Sequence, residues 1–166
     1  MSANRVDWHM RLGVVGVALA GLMVLVGFAT IIAAVRRHSA PGMSTEALFA
    51  LDVLQLGVFA ILVAWAVAVR TDGAAHKRLM ILATVALLGP AVSRWPYDFV
   101  SSSDFAFFGT LDSFLLFMIA FDLYSRRRIQ VATILGSSLI VVMDFAMSPL
   151  AHSALAHRLT AWLQNL

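Results

Sequence analysis

A chain of 166 residues with 61% hydrophobic residues, 13% charged residues and a mean hydropathy of +0.88 lies outside the range of soluble domains and is typical of membrane proteins. The sequence contains no cysteine, which excludes disulfides, thiolate nucleophiles and cysteine-ligated metal clusters. Twelve Lys and Arg residues outnumber nine acidic residues, but they gather at the ends of apolar segments, which indicates membrane orientation and argues against nucleic-acid binding.

The first two apolar segments each predict a transmembrane helix. The first covers residues 12–35 between Arg11 and Arg36, without an internal charge. It is longer than the apolar part of a secretory signal and exceeds the roughly 20 residues that one crossing needs, so we expect a retained helix. Glu46, in the first turn after a Ser-Thr pair, predicts the start of a second helix over 46–69.

Three further crossings follow, over 76–95, 105–124 and 129–147. The third contains Pro90 and has a short apolar run, so its charged ends are expected to snorkel. Pro149 breaks the pattern after the fifth, and residues 151–166 separate apolar and polar side chains at helical spacing. The sequence therefore predicts an all-α fold, with five transmembrane helices in residues 1–150 and an interfacial amphipathic helix over 151–166.

The distribution of basic residues predicts the orientation of this bundle. The N-terminus and the second and fourth loops carry eight Lys and Arg residues, and the other side carries four. The positive-inside rule then places the N-terminus in the cytoplasm and the C-terminal segment outside. Arg36 and Arg37, in the first loop, are exceptions to the rule.

Several ionisable residues fall at one predicted depth of the bilayer. Asp52, Asp112 and Asp144 lie in helices two, four and five, and the alternating helix directions place all three in the outer third. Arg94 ends helix three on that side, and Asp98 follows in the adjoining loop. Charges inside hydrocarbon are costly, so each must be paired, hydrated or neutralised.

Two interpretations of these residues stay open. In one, the three acids form a polar pocket with Arg94 as counter-ion and Gln55 on the same face as Asp52, and the pocket binds a proton, a cation or a small polar ligand. In the other, Arg94 only neutralises one or two acids and locks the bundle. Because one Arg cannot neutralise three carboxylates, at least one acid is expected to be protonated, hydrated or bound to a cation.

Two residues near the cytoplasmic end form a secondary candidate site. His76 lies eighteen residues before Arg94, which is five helical turns, so both side chains fall on one face. Asp122 is a candidate partner for His76, Lys77 or Arg78. The alternative for His76 is an interfacial anchor.

The histidines bear on any haem or metal site. No predicted crossing has an internal His, which disfavours a transmembrane b-type haem, although His9 and His76 could hold a haem at the surface. His38, His152 and His157 share the outer side, but their spacing matches no metal motif, so no metal site is predicted. Phosphate-binding glycine loops, HExxH and GxSxG are all missing from the sequence.

Small residues form a stripe along the first helix. Gly13, Gly16, Ala20 and Gly27 fall within about 60° of each other on the helical wheel. Such a stripe lets another helix approach closely. It predicts packing either within the bundle or against a partner protein.

The segment from Arg70 to Pro96 carries a recurring pattern, HKRLM and LAT followed by GPA and RWP. This pattern resembles a group of uncharacterised bacterial inner-membrane proteins of similar size. Members of that group often carry a His soon after the loop before the fifth helix, where this chain has Gln130. The resemblance implies a polytopic protein of a bacterial inner membrane, with a periplasmic C-terminus in the orientation above, and it implies no activity.

Three functional classes are ranked from these features. The first is a non-enzymatic accessory or scaffold subunit of a larger membrane complex, or a self-associating bundle, which brief loops and the glycine stripe favour. The second is a carrier that binds a proton or small ligand at the outer Asp and Arg residues. The third is a membrane redox protein with surface-bound haem.

Overall fold

The computed structural model describes residues 3–37 and 43–165, with the side chains of residues 11–37, 43–100, 102–103 and 105–165. Within those residues the chain forms eight helices and no strand. In chain order they are α1 (Ala3–Arg36), α2 (Thr45–Ala68), α3 (Gly73–Ala86), α4 (Gly89–Val92), α5 (Asp98–Ser101), α6 (Asp104–Arg126), α7 (Val131–Ala151) and α8 (Ala154–Gln164).

Four of these helices are long and apolar enough to cross a bilayer, by length and composition. The segments are Arg11–Arg36, Thr45–Ala68, Phe105–Arg126 and Val131–Ala151. They match the predicted first, second, fourth and fifth helices to within a few residues. Their outward faces carry large apolar side chains, which is compatible with a membrane protein whose surface meets lipid. The all-helical prediction is therefore confirmed, and four of the five predicted crossings correspond to candidate membrane-spanning helices.

The third predicted helix, 76–95, is broken. Helix α3 ends at Ala86 and α4 begins at Gly89, with Leu87 and Leu88 between them. Pro90 has no N–H to donate to the carbonyl of Ala86, so a continuous helix would lose a hydrogen bond at this point. The fourteen residues of α3 extend about 21 Å, less than a bilayer core requires.

Helices α2, α3 and α7 form the centre of the bundle. Leu62, Leu79 and Leu82 are fully buried between them. The close approach of α7 to α3 depends on Gly136, where an added Cβ would lie 2.6 Å from Leu82 Cδ1. A larger residue at this position would require the fully buried Leu82 side chain to move.

Hydrogen bonds and ion pairs define the two ends of the bundle. At one end, here called the Arg78 end, His76 Nδ1 lies 2.8 Å from the Ala66 carbonyl oxygen, so α3 starts where α2 finishes. Arg78 also pairs there with Asp122 near the end of α6. At the other end, here called the Glu46 end, Glu46 Oε1 lies 3.5 Å from Nδ1 of His157 in α8.

The C-terminal helices differ from the prediction in two ways. Helix α7 continues through Pro149 to Ala151, although Pro149 has no N–H to donate to the preceding turn. Helix α8, instead of lying free at the interface, packs against α1, α2 and α7 through a face that includes the polar residue Thr160. Its hydroxyl donates to the Ala156 carbonyl 2.9 Å away, which makes burial tolerable. Leu166 lies outside the described residues.

The structure divides the small-residue stripe of α1 in two. A Cβ added to Gly27 would lie 3.0 Å from the Leu56 side chain in α2, and Ala20 packs against the core. Gly13 and Gly16 have nothing within 4 Å of an added Cβ. From the contact between Gly27 and Leu56, Gly13 lies about 21 Å along α1, whereas α2 extends only about 18 Å in the same direction. The N-terminal part of α1 therefore reaches the end of α2.

Candidate functional site

A buried ion pair joins three helices at the Arg78 end. Asp122 is fully buried and accepts hydrogen bonds on both oxygens. Its Oδ1 receives Arg78 Nε at 2.8 Å and a second guanidinium N–H. Its Oδ2 receives the Thr133 hydroxyl at 2.6 Å and the Gln130 backbone N–H at 3.0 Å. We call Arg78, Asp122 and Thr133 the ion-pair cluster.

The cluster leaves its charged groups well satisfied. Arg78 Nη1 donates to the Ala74 carbonyl oxygen at 2.8 Å, which occupies the part of the guanidinium that does not reach Asp122. A buried carboxylate and a buried guanidinium with this many partners tie α3, α6 and α7 into one unit. The geometry is that of a structural contact, because most of its hydrogen-bonding groups are already occupied by protein partners.

A second contact between α6 and α7 lies nearer the Glu46 end, and its carboxyl groups lack, among the described residues, the hydrogen-bond donors that Asp122 has. Asp112 and Asp144, both half-buried, place their carboxyl groups within hydrogen-bonding reach of each other. Neither oxygen of Asp144, nor Asp112 Oδ1, receives a hydrogen bond from a donor among the described residues. Two ionised carboxylates can only accept, so they can bond to each other only when one carries a proton. We call these residues the carboxyl pair.

The two contacts lie on one helix–helix seam. Asp112 and Asp122 are ten residues apart on α6, and Thr133 and Asp144 are eleven apart on α7. These separations correspond to about 15 Å and 16 Å of helix, so the antiparallel helices meet at two matched levels. The predicted common depth of Asp112 and Asp144 therefore corresponds to a contact between their side chains.

A cleft of about 530 Å³ runs along α6 and α7 between these levels. Asp112 lines it, together with Ser137 and Ser138. Its walls are otherwise apolar and include Leu115, Leu116, Ile119, Ile134, Val141 and Val142. An apolar cleft with few polar groups is the usual form of a small-molecule site. We call it the α6–α7 cleft.

The remaining predicted outer residues do not join the carboxyl pair. Asp52 is half-buried on α2, and the amide nitrogen of the buried Gln55 has no hydrogen-bond partner among the described residues. Arg94 is exposed and donates to the Pro90 carbonyl, while Asp98 is exposed at the first turn of α5. Among the described side chains, Arg78 pairs with Asp122, and no ion pair joins Arg94 to Asp52, Asp112 or Asp144.

The break between α3 and α4 explains the position of Arg94. A continuous helix over 76–95 would carry Arg94 along the face that starts at His76. The chain instead turns at Leu87 and again after Val92, and Arg94 then lies in an exposed turn with Trp95 and Tyr97. Aromatic side chains of this kind are suited to the headgroup level of a bilayer.

His76 and His152 each contact a backbone carbonyl oxygen through Nδ1. A carbonyl oxygen can only accept, so the hydrogen between His76 and Ala66 is on Nδ1 of the ring. His152 Nδ1 makes a similar contact of 2.8 Å with the Ser148 carbonyl. Within the part of the chain that the structure describes, no three His, Asp or Glu residues are grouped closely enough to hold a metal ion. His38 and the side chain of His9 lie outside the described residues.

Sequence reasoning gave Arg78 as one of three candidate partners of Asp122 and assigned no role to Ser137. Asp122 sits inside an apolar helix and therefore needs a cation from a neighbouring helix. The structure selects Arg78 from the three candidate partners. Ser137 carried no stronger signal than its place on the Asp144 face of the fifth helix.

Comparisons with protein-family models, with curated proteins and with solved structures return no match. The segment from Arg70 to Pro96 contains α3 and α4. Within it, His76 contacts the end of α2, Arg78 pairs with Asp122, and Gly89 leaves room for Gln55, whose Nε2 would lie 2.4 Å from an added Cβ. These residues of the pattern hold the broken helix in place.

Proposed function

We propose that the protein is a small five-crossing membrane protein that binds a proton at the carboxyl pair. The observation that carries the proposal is the contact between Asp112 and Asp144 without a donor from the rest of the described chain. An unpaired carboxylate in an apolar helix pair is costly, and a shared proton removes both the charge and the repulsion. Proton binding is thus the chemistry that this arrangement favours.

The packing of α2 and α6 supports five crossings. Both helices end at the Arg78 end, because Ala66 contacts His76 and Asp122 contacts Arg78. Helix α6 begins eighteen residues before Asp122, about 27 Å away. The chain between the start of α3 and the start of α6 must cover the same height, so the segment 73–103 acts as a broken third crossing.

The charge distribution supports an orientation with the Arg78 end in the cytoplasm. That end receives the second and fourth loops, with Lys77 and the Arg126–Arg128 run. The carboxyl pair then lies toward the opposite face, which in the bacterial inner membrane is periplasmic. Protons from that side would reach the pair across the outer third of the bilayer.

Labelling with dicyclohexylcarbodiimide tests the proposal residue by residue. This apolar reagent reacts with protonated carboxyl groups and leaves a stable N-acylurea that peptide mass spectrometry can locate. At neutral pH we expect the label on Asp112 or Asp144 and none on the ionised Asp122. Asp52, which lies on a different helix, shows whether labelling is confined to the carboxyl pair.

The Asp112→Asn/Asp144→Asn double variant is the matched control. It removes the expected label while leaving the ion-pair cluster intact. Absence of label from both residues of the pair in the wild-type protein would overturn the proposal. Label on Asp122 at the same rate would also overturn it, since the two sites would then share one protonation state.

An accessory role is a second candidate, supported by the exposed surface of α1. Gly13 and Gly16 have open space beside them, and residues 11–19 are exposed. Small residues on such a surface would let a helix of a larger complex, or of another copy, pack closely. We expect a stoichiometric partner to co-purify with the wild-type protein. The partner should be lost in Gly16→Leu and retained in the distant Gly57→Leu control. Equal recovery from both variants would contradict it.

A further inference from the structure

We propose that the α6–α7 cleft binds a lipophilic cation, with its apolar body between the two helices and its positive group at the carboxyl pair. The inference rests on the proposed function, because the same pair would hold either a proton or the cation. It adds the chemical class of the ligand and the path by which it enters.

The cleft has the size and the walls that such a ligand needs. Its volume of about 530 Å³ falls within the range of small-molecule sites, roughly 300–1,000 Å³. Exposed Leu116 and Val142 form part of its walls, so the cleft opens on the surface that meets lipid. An amphiphile dissolved in the bilayer could therefore enter sideways without passing through water.

Ser137 is a second feature that points to a ligand, independent of the acids. It lines the cleft, only 7% of its surface is exposed, and its Oγ has no hydrogen-bond partner among the described residues. Serine in a helix usually donates to a carbonyl of the preceding turn. Thr110 and Ser113 on α6 do so, at 2.7 Å and 2.6 Å. The buried hydroxyl of Ser137 therefore keeps an unused hydrogen-bonding capacity in the wall of the cleft.

Ser137 and Asp144 lie on one face of α7. They are seven residues apart, or about two turns. A ligand that touches the Ser137 hydroxyl can thus extend along the cleft and place a charged group near the carboxyl pair. The Ser137 hydroxyl, in a mostly apolar wall, gives the ligand one fixed contact and leaves its shape loosely defined.

Charge complementarity selects a cation over an anion or a neutral molecule. The nearest basic group on these helices, Arg78, already pairs with Asp122 about 15 Å of helix away. The acids therefore lack a positive partner among the described side chains of the seam. A cation that neutralises them competes with the proton, so its binding should release protons and should strengthen as the pH rises.

Tetraphenylphosphonium is a suitable probe, and tetraphenylborate is its size-matched anion. By equilibrium dialysis against the full-length protein in detergent, we expect saturable binding of the phosphonium, stronger at higher pH, and no saturable binding of the borate. Asp112→Asn should weaken phosphonium binding about tenfold or more, whereas Asp52→Asn should leave it unchanged. Ser137→Ala should weaken it about two- to tenfold and leave carbodiimide labelling unaltered.

A protection experiment needs no variant and so does not depend on whether Asp112→Asn folds. Saturating phosphonium should reduce carbodiimide labelling of the carboxyl pair in the wild-type protein. Labelling without phosphonium binding or protection would overturn the lipophilic-cation inference and leave the proton site standing. Absence of both labelling and binding would overturn the two proposals together. Binding that persists unchanged in Asp112→Asn would place the cation elsewhere and overturn this inference.

Discussion

The ion-pair cluster and the carboxyl pair are two polar contacts on the same pair of helices, and they differ in how completely their groups are satisfied. Asp122 receives hydrogen bonds from a guanidinium, a hydroxyl and a backbone N–H. Asp144 receives none from the described residues and instead faces Asp112. Asp112 and Asp122, about 15 Å of helix apart on α6, therefore play different parts.

This difference separates a contact that stabilises the fold from one that can bind. A satisfied buried ion pair resists change, because removing one partner leaves the other charge without compensation. An unsatisfied pair of acids has protonation and ligand binding as its ways to lower its free energy. The stabilising ion pair thus lies at the Arg78 end, and the acids that can bind a proton or a ligand lie nearer the Glu46 end.

The largest expected effect is on stability, at Asp122. Asp122→Ala should lower the free energy of unfolding by about 3–5 kcal/mol, because Arg78 is left buried without a partner. Asp112→Ala is the matched control and should change it by about 1 kcal/mol, since it removes only the hydrogen bond within the carboxyl pair and leaves no cation without a partner. Denaturant titrations of both variants in the same detergent make the comparison.

A double variant sharpens this result. Arg78→Met/Asp122→Leu removes both charges and should recover most of the lost stability. If Asp112→Ala proved as destabilising as Asp122→Ala, the carboxyl pair would be a structural contact too, and the contrast between the two sites would be wrong.

A smaller effect is expected at Gly136, which brings α7 close to α3 one turn from Thr133. Gly136→Ala should destabilise the protein by about 1–3 kcal/mol, because the added Cβ would lie 2.6 Å from Cδ1 of the fully buried Leu82. Gly57→Ala, where nothing lies within 4 Å, should stabilise the helix by about 0.5–1 kcal/mol. Thermal unfolding of both variants checks the prediction, and a stable Gly136→Ala would show that α3 and α7 are not in close contact.

The smallest expected effect is at the exposed cap of α3. Asp72 Oδ1 accepts backbone N–H bonds from Ala74 and Ala75 at 2.9 Å and 3.1 Å, and these bonds hold the pKa of the carboxyl below its usual value. Because the folded-state pKa is the lower one, this stabilisation is present above the unfolded-state pKa and is lost as the pH falls through the folded-state pKa. The difference in Tm between the wild type and Asp72→Ala should therefore shrink in acid; a difference that grew would contradict the assignment.

The fold was largely predictable because bilayer thickness fixes the length of an apolar run. The helices that match the first, second, fourth and fifth crossings follow from those runs alone. The break after Ala86 was not predicted, since Pro90 can either kink a helix or divide it, and only the packing around Gly89 and Gln55 decides. The face of α8 that contacts the bundle was not predicted either, because amphipathic spacing does not show which side of a helix meets protein.

The depth of the candidate site residues in the bilayer could be predicted from the sequence, but which of them contact one another could not. Helical rise placed Asp52, Asp112 and Asp144 near one level, but rise contains no information on which helices are adjacent or how each is rotated. The structure therefore joins two of the three acids and leaves Asp52 on another helix. The same limit left three candidate partners for Asp122, of which Arg78 is the one in contact.

Infrared spectroscopy of the protonated carboxyl groups tests most directly whether the proton is held at the carboxyl pair and not at the ion-pair cluster. At neutral pH the wild-type protein should show the carbonyl-stretch band of a protonated carboxylic acid, and the band should persist in Asp122→Asn. Most of it should disappear in the Asp112→Asn/Asp144→Asn double variant. A band lost in Asp122→Asn and kept in the double variant would show that the proton is held at the ion-pair cluster, and the assignment of the two sites would be reversed.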